Sequence, residues 1–282
     1  MSIMGMSGQE TKSENKSIYV RRMFASIARR YDLLNAILSF GFDSGWRRFV
    51  IAKIEGIPHE SILDLATGTG KIALLAAKRN PASKVVGVDF CPEILAVARE
   101  RSVNCKSTPF IPHSWGKVKL GDTPKSPGRK NPAPLLARSV KGLDVNRVYL
   151  IKGDALQLPF PDNTFDCITI GFALRNVTSI ASLFAEMSRV AKPGGKMVSL
   201  ELTRPSARVL EPLHKLYIKV VIRCVGGIIS GKWDAYTYLP RSILEFPSPQ
   251  EVQKVMEAAG WRNVEIHRLT FGTATVQTGV KE

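Results

Sequence analysis

The chain has 282 residues, 44% of them apolar, and carries a formal charge of +16 with a pI near 9.9. Such a length and apolar content suit one large globular domain or two small ones with a sizeable core, and the charge suits an anionic partner such as a phospholipid surface, nucleic acid or an acidic substrate. No run reaches the roughly 18 apolar residues of a membrane span, the N-terminus lacks the apolar core of a secretory signal, and Cys91, Cys105, Cys167 and Cys224 are too scattered for a zinc site or a disulfide framework.

Residues 1–17 are polar and are expected to be disordered, whereas 18–54 read as helical, with Phe24, Ile27, Ala28 and Tyr31 at i, i+3, i+4 and i+7. Alternation follows: "SILDLA" as a buried strand, "KIALLAAKR" as a helix, "KVVGVDF" as a second strand and "PEILAVARERS" as a helix opened by Pro92. This rhythm predicts βαβ units and a parallel sheet. It stops at 102–147, where nine Lys or Arg stand against two Asp, so that +7 of the +16 lies in one Pro-rich stretch, read as a basic surface insertion whose "PFIPHSW" patch docks on the body.

The rhythm resumes with "RVYLIKGDA" and "TFDCITIGFA" as strands, a helix over "SIASLFAEMSRVAK" ended by the Pro-Gly-Gly at 193–195, and a fifth strand in "GKMVSLEL". Residues 207–245 mix apolar, aromatic and basic side chains and read as mostly helical. "SPQEVQKVMEAAG" is a capped helix, with Ser248 as N-cap, Glu251 closing a capping box and Gly260 as the stop. A terminal hairpin, "NVEIHRL" and "TATVQTGV", closes the chain.

The stretch "LDLATGTGKIA" (63–73) decides the ligand class. As a nucleoside-triphosphate loop it fails, because Leu65 and Ile72 occupy the places of the first Gly and the Mg²⁺-binding hydroxyl. Gly68-Thr69-Gly70 followed by Asp89 fits either a dinucleotide or S-adenosylmethionine (SAM), since a carboxylate accepts bonds from ribose hydroxyls in both. Asp64, ahead of the glycines, would repel a pyrophosphate and attract the cationic methionine end of SAM. Asp154 and Ala155 after the third strand, and Gly171 at the end of the fourth, sit at strand carboxyl ends, where ligands of such sheets bind. Lys71 reads as a helix-start residue facing solvent.

With "FASIARRYDLLNAILSFGFDSGWRR", "LDLATGTG", "LPFPDNTFDCITIGFALRNV" and "RVAKPGGKMVSLE", the chain resembles the ubiquinone/menaquinone biosynthesis C-methyltransferase family from about Phe24 to Gly279, apart from the insertion. The resemblance implies an α/β fold, the Rossmann-like seven-stranded class I methyltransferase sheet with an antiparallel last strand, plus N-terminal and late helical cover. It implies that Thr69, Asp89, Asp154 and Ala155 hold SAM, with Gly171 contributing only backbone, and that Arg175 takes part in the chemistry. The implied reaction moves the methyl of SAM to a ring carbon of a polyprenylated quinol, preferably demethylmenaquinol, with 2-methoxy-6-polyprenyl-1,4-benzoquinol, or both, as the alternative. Carbon attacks only once a ring hydroxyl has lost its proton, so the protein must stabilise a phenolate. Arg175, too basic for a comfortable general base, is assigned that electrostatic role, and Asn176 the orientation of the ring.

Tyr31, Asp32 and Asn35 lie about a helical turn apart and either face the substrate together or anchor the helix. Tyr236 and Tyr238 are weaker candidates, and His113, His214 and His267 read as surface residues. Gln277 stands where the family often has His, which leaves its polar role open. The expected setting is the cytoplasm, peripheral on an anionic membrane surface, because "IYVRRMFASIARRY" and "LHKLYIKVVIRCV" combine apolar and basic faces; a homodimer is a further expectation. Two other readings compete. An RNA-binding protein is suggested by charge but lacks an aromatic stacking motif, and a NAD-dependent reductase is opposed by Asp64.

Overall fold

The computed structural model describes residues 6–55, 60–102, 148–205, 211–231 and 233–282. The insertion expected at 102–147 and its "PFIPHSW" patch therefore lie, beyond Ser102, outside the described residues, as does His113.

Seven strands form one sheet in the order β3-β2-β1-β4-β5-β7-β6. Strands β1 (Ser61–Leu65), β2 (Lys84–Asp89), β3 (Val148–Lys152), β4 (Phe165–Gly171) and β5 (Ala191–Leu202) run parallel, while β7 (Ala274–Lys281) is antiparallel to both β5 and β6 (Trp261–Leu269). All five residues of β1 are buried, as expected of a central strand covered on both faces. Helices fill the crossovers: α4 (Lys71–Arg79), α5 (Pro92–Ser102), α6 (Ile180–Val190) and α10 (Pro249–Ala258). The sequence reading of this half holds in element order, but α6 ends at Val190 and β5 already runs from Ala191 through the Pro-Gly-Gly at 193–195 that was expected to stop the helix. Ser248 and Glu251 form the capping box, and Gly260 turns the chain at φ +90°.

Two cores flank the sheet. One joins Leu63, Ile168, Phe184 and Trp261, the other Val50, Ile62, Ala76 and Val198. Gln277 at the buried centre of β7 donates to the Pro249 carbonyl at 3.0 Å, tying the sheet to the start of α10. Its polar role is structural.

The helical cover consists of α1 (Met6–Ile27), α2 (Tyr31–Leu38) and α3 (Phe42–Ala52) at the front. Behind them, α7 (Glu211–Leu216) continues through a π-helical stretch (Tyr217–Ile222) into α8 (Arg223–Ser230), and α9 (Trp233–Glu245) follows. Because α1 begins at Met6, residues 6–17 are helical where disorder was expected. A small third core of Ile27, Leu34, Ile222 and Ile243 welds the front and late helices together. Among the described residues, no helix is long and apolar enough to cross a membrane.

Candidate active site

The carboxyl ends of β1, β2, β3 and β4 open into a cavity of about 380 Å³, walled by Gly68, Asp89, Asp154, Ala155 and Gly171 and roofed by Ser17, Val20 and Phe24 of α1. Asp89 is fixed in place: its Oδ2 accepts the Gly68 N–H at 2.8 Å and its Oδ1 the Cys91 N–H at 2.9 Å. Burial raises its pKa to about 6 against those bonds, so it remains mainly ionised at neutral pH. Asp154 is exposed and accepts the Leu156 N–H at 2.9 Å. The roof is latched by Lys16, whose Nζ donates to the Val177 carbonyl at 2.7 Å and lies 3.4 Å from that of Arg175.

Asp64, Thr69 and Gly70 do not line this cavity. Asp64 is 1% exposed, and its carboxylate is taken by Thr67 Oγ1 (2.6 Å), Thr169 Oγ1 (2.7 Å) and the Ala73 N–H (3.1 Å). It clamps the glycine loop between β4 and the first turn of α4, and burial lifts its pKa to about 6. Gly70 has φ +77°, and a Cβ there would stand 3.2 Å from the Ala98 Cβ, so the loop needs glycine to let α5 approach. A Cβ on Gly171 would lie 2.6 Å from Ile72 Cδ1, so the packing of α4 favours the small residue there.

Behind a shared wall of Phe24, Tyr31, Phe172 and Asn176 lies a second cavity of about 270 Å³ under the helical cover. Its walls are mostly apolar, including Met23, Ile27, Leu38, Ile222, Leu239 and Ile243. Phe172 stands at the hinge of the two spaces with φ +58°, a backbone state rare for aromatic residues and held by its surroundings. Its carbonyl accepts from Arg175 Nη1 at 3.0 Å and from Asn176 Nδ2 at 3.2 Å, and the Arg47 guanidinium sits 5.3 Å from its ring centre.

Arg175 and Glu201 form a buried ion pair beneath this cavity, with side chains 6% and 4% exposed. Glu201 Oε2 also accepts the Arg175 backbone N–H at 3.2 Å. Sequence reasoning missed Glu201, although an acid at the apolar end of "MVSLEL" was the available signal. Asn176 Oδ1 accepts the Tyr238 hydroxyl at 3.2 Å. Side-chain detail at Tyr236 is outside the described residues.

The helix trio of α2 splits. Tyr31 and Asn35 face the cavity, and burial raises the Tyr31 pKa, keeping it a phenol. Asp32 turns the other way, accepting Thr69 Oγ1 at 3.0 Å, pairing with Arg101 of α5 and lying 3.3 Å from Lys71 Nζ. Lys71 also lies 3.5 Å from Asp43, which pairs with Arg47. So Lys71 does not face solvent as a bystander: it joins the glycine-loop helix to the cover, because two carboxylates from α2 and α3 converge on it. His267 bonds Glu265 at 3.0 Å on β6. His214, read as a surface residue, is half-buried and lines the second cavity.

The sheet order, with an antiparallel β7 and a cavity at the strand ends, is that of a class I SAM-dependent methyltransferase, and SAM is its methyl donor. The fold agrees with a solved SAM-dependent methyltransferase from Thermotoga maritima, described as a possible histamine N-methyltransferase, at TM-score 0.57 and 16% identity over 93% of this chain and 100% of that one. The model of the ubiE/COQ5 methyltransferase family matches residues 10–111 and 136–281, and the chain belongs to that family. It is 36% identical to the ubiquinone/menaquinone biosynthesis C-methyltransferase UbiE of Geotalea daltonii, over 96% of this chain and 99% of that protein. It is 38% identical to the demethylmenaquinone methyltransferase of Thermus thermophilus, over 91% and 99% respectively. The stretch between the two matched segments, 112–135, falls inside the basic insertion.

Proposed function

We propose that the protein methylates a ring carbon of a polyprenylated quinol, demethylmenaquinol before the benzoquinol precursor of ubiquinone. The observation that carries this is the apolar second cavity, which meets the strand-end cavity at Tyr31, Phe172 and Asn176 and has Arg175 in its wall.

The strand-end cavity fits SAM. The oriented Asp89 carboxylate suits the ribose hydroxyls, Asp154 and the Ala155 N–H suit the adenine edge, and Val88, Ile94 and Leu156 offer it apolar walls. Asp64, Gly68, Thr69 and Gly70 shape and brace the loop, with Gly171 as floor. When bound, SAM supplies a methyl group on a sulfonium, already activated for attack by carbon. Across the wall, the Arg175 guanidinium, held rigid by Glu201 and the Phe172 carbonyl, is placed to stabilise the quinolate oxygen in a mostly apolar space. Asn176, pinned by Tyr238, orients the ring, and Tyr31 closes the seam between the two ligands.

The mouth of the second cavity carries exposed large apolar side chains. Phe40 and Phe42 are 73% and 52% exposed while also lining it, and Leu33, Ile37, Val220 and Phe271 lie exposed on the neighbouring turns. Phe40 contacts Tyr217, and Phe42 stacks on Trp46, whose Nε1 donates to Thr270 beside Phe271, so the rim is continuous. With Lys219 and Arg223 exposed on the adjoining helix, this rim suits an anionic bilayer that delivers the prenyl tail.

The test presents reduced demethylmenaquinol, or the benzoquinol, in anionic vesicles with methyl-labelled SAM. Label is expected in demethylmenaquinol, with vesicle binding that weakens as salt rises. Label in neither quinol overturns the proposal; unchanged sedimentation with and without vesicles at low salt overturns its membrane part.

A further inference from the structure

Methylation at carbon, the reading this inference rests on, needs a base for the quinol hydroxyl, and Arg175 is a cation that cannot serve. Most of the polar side chains around the second cavity have partners within the chain. Trp46 Nε1 donates to Thr270 at 2.9 Å, the Tyr217 hydroxyl to the Leu38 carbonyl at 2.5 Å, Tyr238 to Asn176, and Thr273 Oγ1 to the Thr270 carbonyl at 2.8 Å. Asp43 is held by Arg47 and Lys71 and lies 3.4 Å from Ser39 Oγ. Three buried nitrogens have no hydrogen-bond partner among the described residues: Asn35 Nδ2, Arg175 Nε and His214 Nδ1. All three belong to side chains lining this one cavity.

A buried polar atom without a partner is costly, and such atoms collected in one cavity mark the place of a polar ligand. Asn35 Nδ2 and Arg175 Nε can only donate, which suits an oxygen that is losing its proton. An imidazole nitrogen can accept. We propose that His214 of α7 is the proton acceptor for the quinol hydroxyl, working against a quinolate oxygen held by Arg175 and Asn35. The O–H bond breaks, the proton passes to Nδ1, and the electron pair stays on the ring, raising the nucleophilicity of the adjacent carbon. After methyl transfer that carbon carries both its hydrogen and the new methyl group. Rearomatisation sends the hydrogen to water as a proton and returns the proton from His214 to the oxygen, so each turnover releases one proton.

The surroundings favour a neutral, receptive imidazole. Burial lowers the pKa of His214 below its ordinary value. The charged or titratable side chains lining the same cavity are Arg175, Asp43, Tyr31, Tyr238 and the neighbouring Tyr217. Burial raises all three tyrosines, so none of them is a competing base at neutral pH, and the Asp43 carboxylate is already engaged.

His214→Ala tests this in the full-length protein with vesicle-borne demethylmenaquinol, after its thermal melt has been matched to the native chain. Loss of a general base is expected to lower kcat by about 10²–10⁴-fold, with quinol KM and SAM affinity changed less than about threefold. At saturating SAM, the acid limb of the native kcat–pH profile, with its midpoint below the usual imidazole value, is expected to vanish, and added imidazole to restore part of the rate. Independently of turnover, the ring resonance of His214 in histidine-labelled protein, assigned by its absence from the variant, should shift when quinol product is added with S-adenosylhomocysteine present. A variant within threefold of the native kcat that keeps the acid limb, or a ring resonance blind to the quinol, overturns the assignment while the function stands; native protein that labels neither quinol removes the function itself.

Discussion

The cavity at the strand ends is framed by glycines and strand tips, and the one under the helices by the side chains of the helical cover. In the first, glycines and strand tips set the shape, and its key carboxylate, Asp89, is already bonded to two N–H groups of the chain. In the second, apolar helical faces enclose a few polar atoms that the protein itself leaves unpaired, at Asn35, Arg175 and His214. A site that is finished before its ligand arrives suits a molecule used by a whole fold class. A site with unpaired polar atoms inside an apolar shell suits one specific ring, because a ligand lacking the matching hydroxyl leaves those atoms buried and unsatisfied. The two are joined by Asp32, which holds the glycine loop at Thr69, the α4 start at Lys71 and α5 at Arg101 while its own helix carries Tyr31 and Asn35 into the second cavity.

This division can be broken most decisively at Arg175. Arg175→Ala is expected to lower kcat by about 10²–10³-fold, as removal of an oxyanion donor does, with SAM affinity nearly unchanged. It also strands Glu201 and should cost about 3–5 kcal/mol of stability. The double variant Arg175→Met with Glu201→Leu should regain that stability but not the rate, by thermal melts and single-turnover assays. If SAM affinity fell in step with kcat, the two cavities would not be separable.

The next effect belongs to Asp89. Asp89→Asn is expected to weaken SAM binding by about 10–100-fold, the range for a lost charge-assisted hydrogen bond, with quinol KM little altered. The native protein should also lose SAM affinity below pH 6, by up to about tenfold per unit, because burial holds the Asp89 pKa at about 6 and protonation removes an acceptor. Above that pH affinity should be flat. Calorimetric titration across pH reads both. A slope that persists in Asp89→Asn would move the titration to Asp64, whose pKa is also raised to about 6.

The smallest and most diagnostic change is at Asp32. Asp32→Asn is expected to weaken both ligands together, by about 3–10-fold each, and to cost about 1.5–3 kcal/mol of stability. An effect on one ligand only would show that the cavities are not joined through this residue.

Much of the sheet half was legible in the residues. Alternating apolar runs, Pro92, the Ser248–Glu251 box and Gly68-Thr69-Gly70 are local signals, each acting within a few positions, and Asp89 follows the glycines at a spacing fixed by one βαβ turn. The early helical pattern was legible too, but not how far it ran: α1 starts at Met6, in a polar stretch stabilised through contacts such as that of Lys16 with the carbonyls of Val177 and Arg175, some 160 residues away. "GFALRN" pointed to Arg175 but not to its partner.

By itself the sequence determined the class of sheet, the glycine loop at its strand ends and the family whose chemistry it carries, because those depend on short-range periodicity and on residue types at fixed spacing. Only the tertiary structure decided that Asp64 braces the loop from below, that Lys71 is a bridge, that Tyr31 and Asp32 point to opposite sides of their helix, and that Glu201 and His214 stand at the second cavity. A side chain's role depends on the atoms within about 4 Å of it, and in these cases deciding ones, such as Thr169 at Asp64 and Asp32 at Lys71, come from distant parts of the chain.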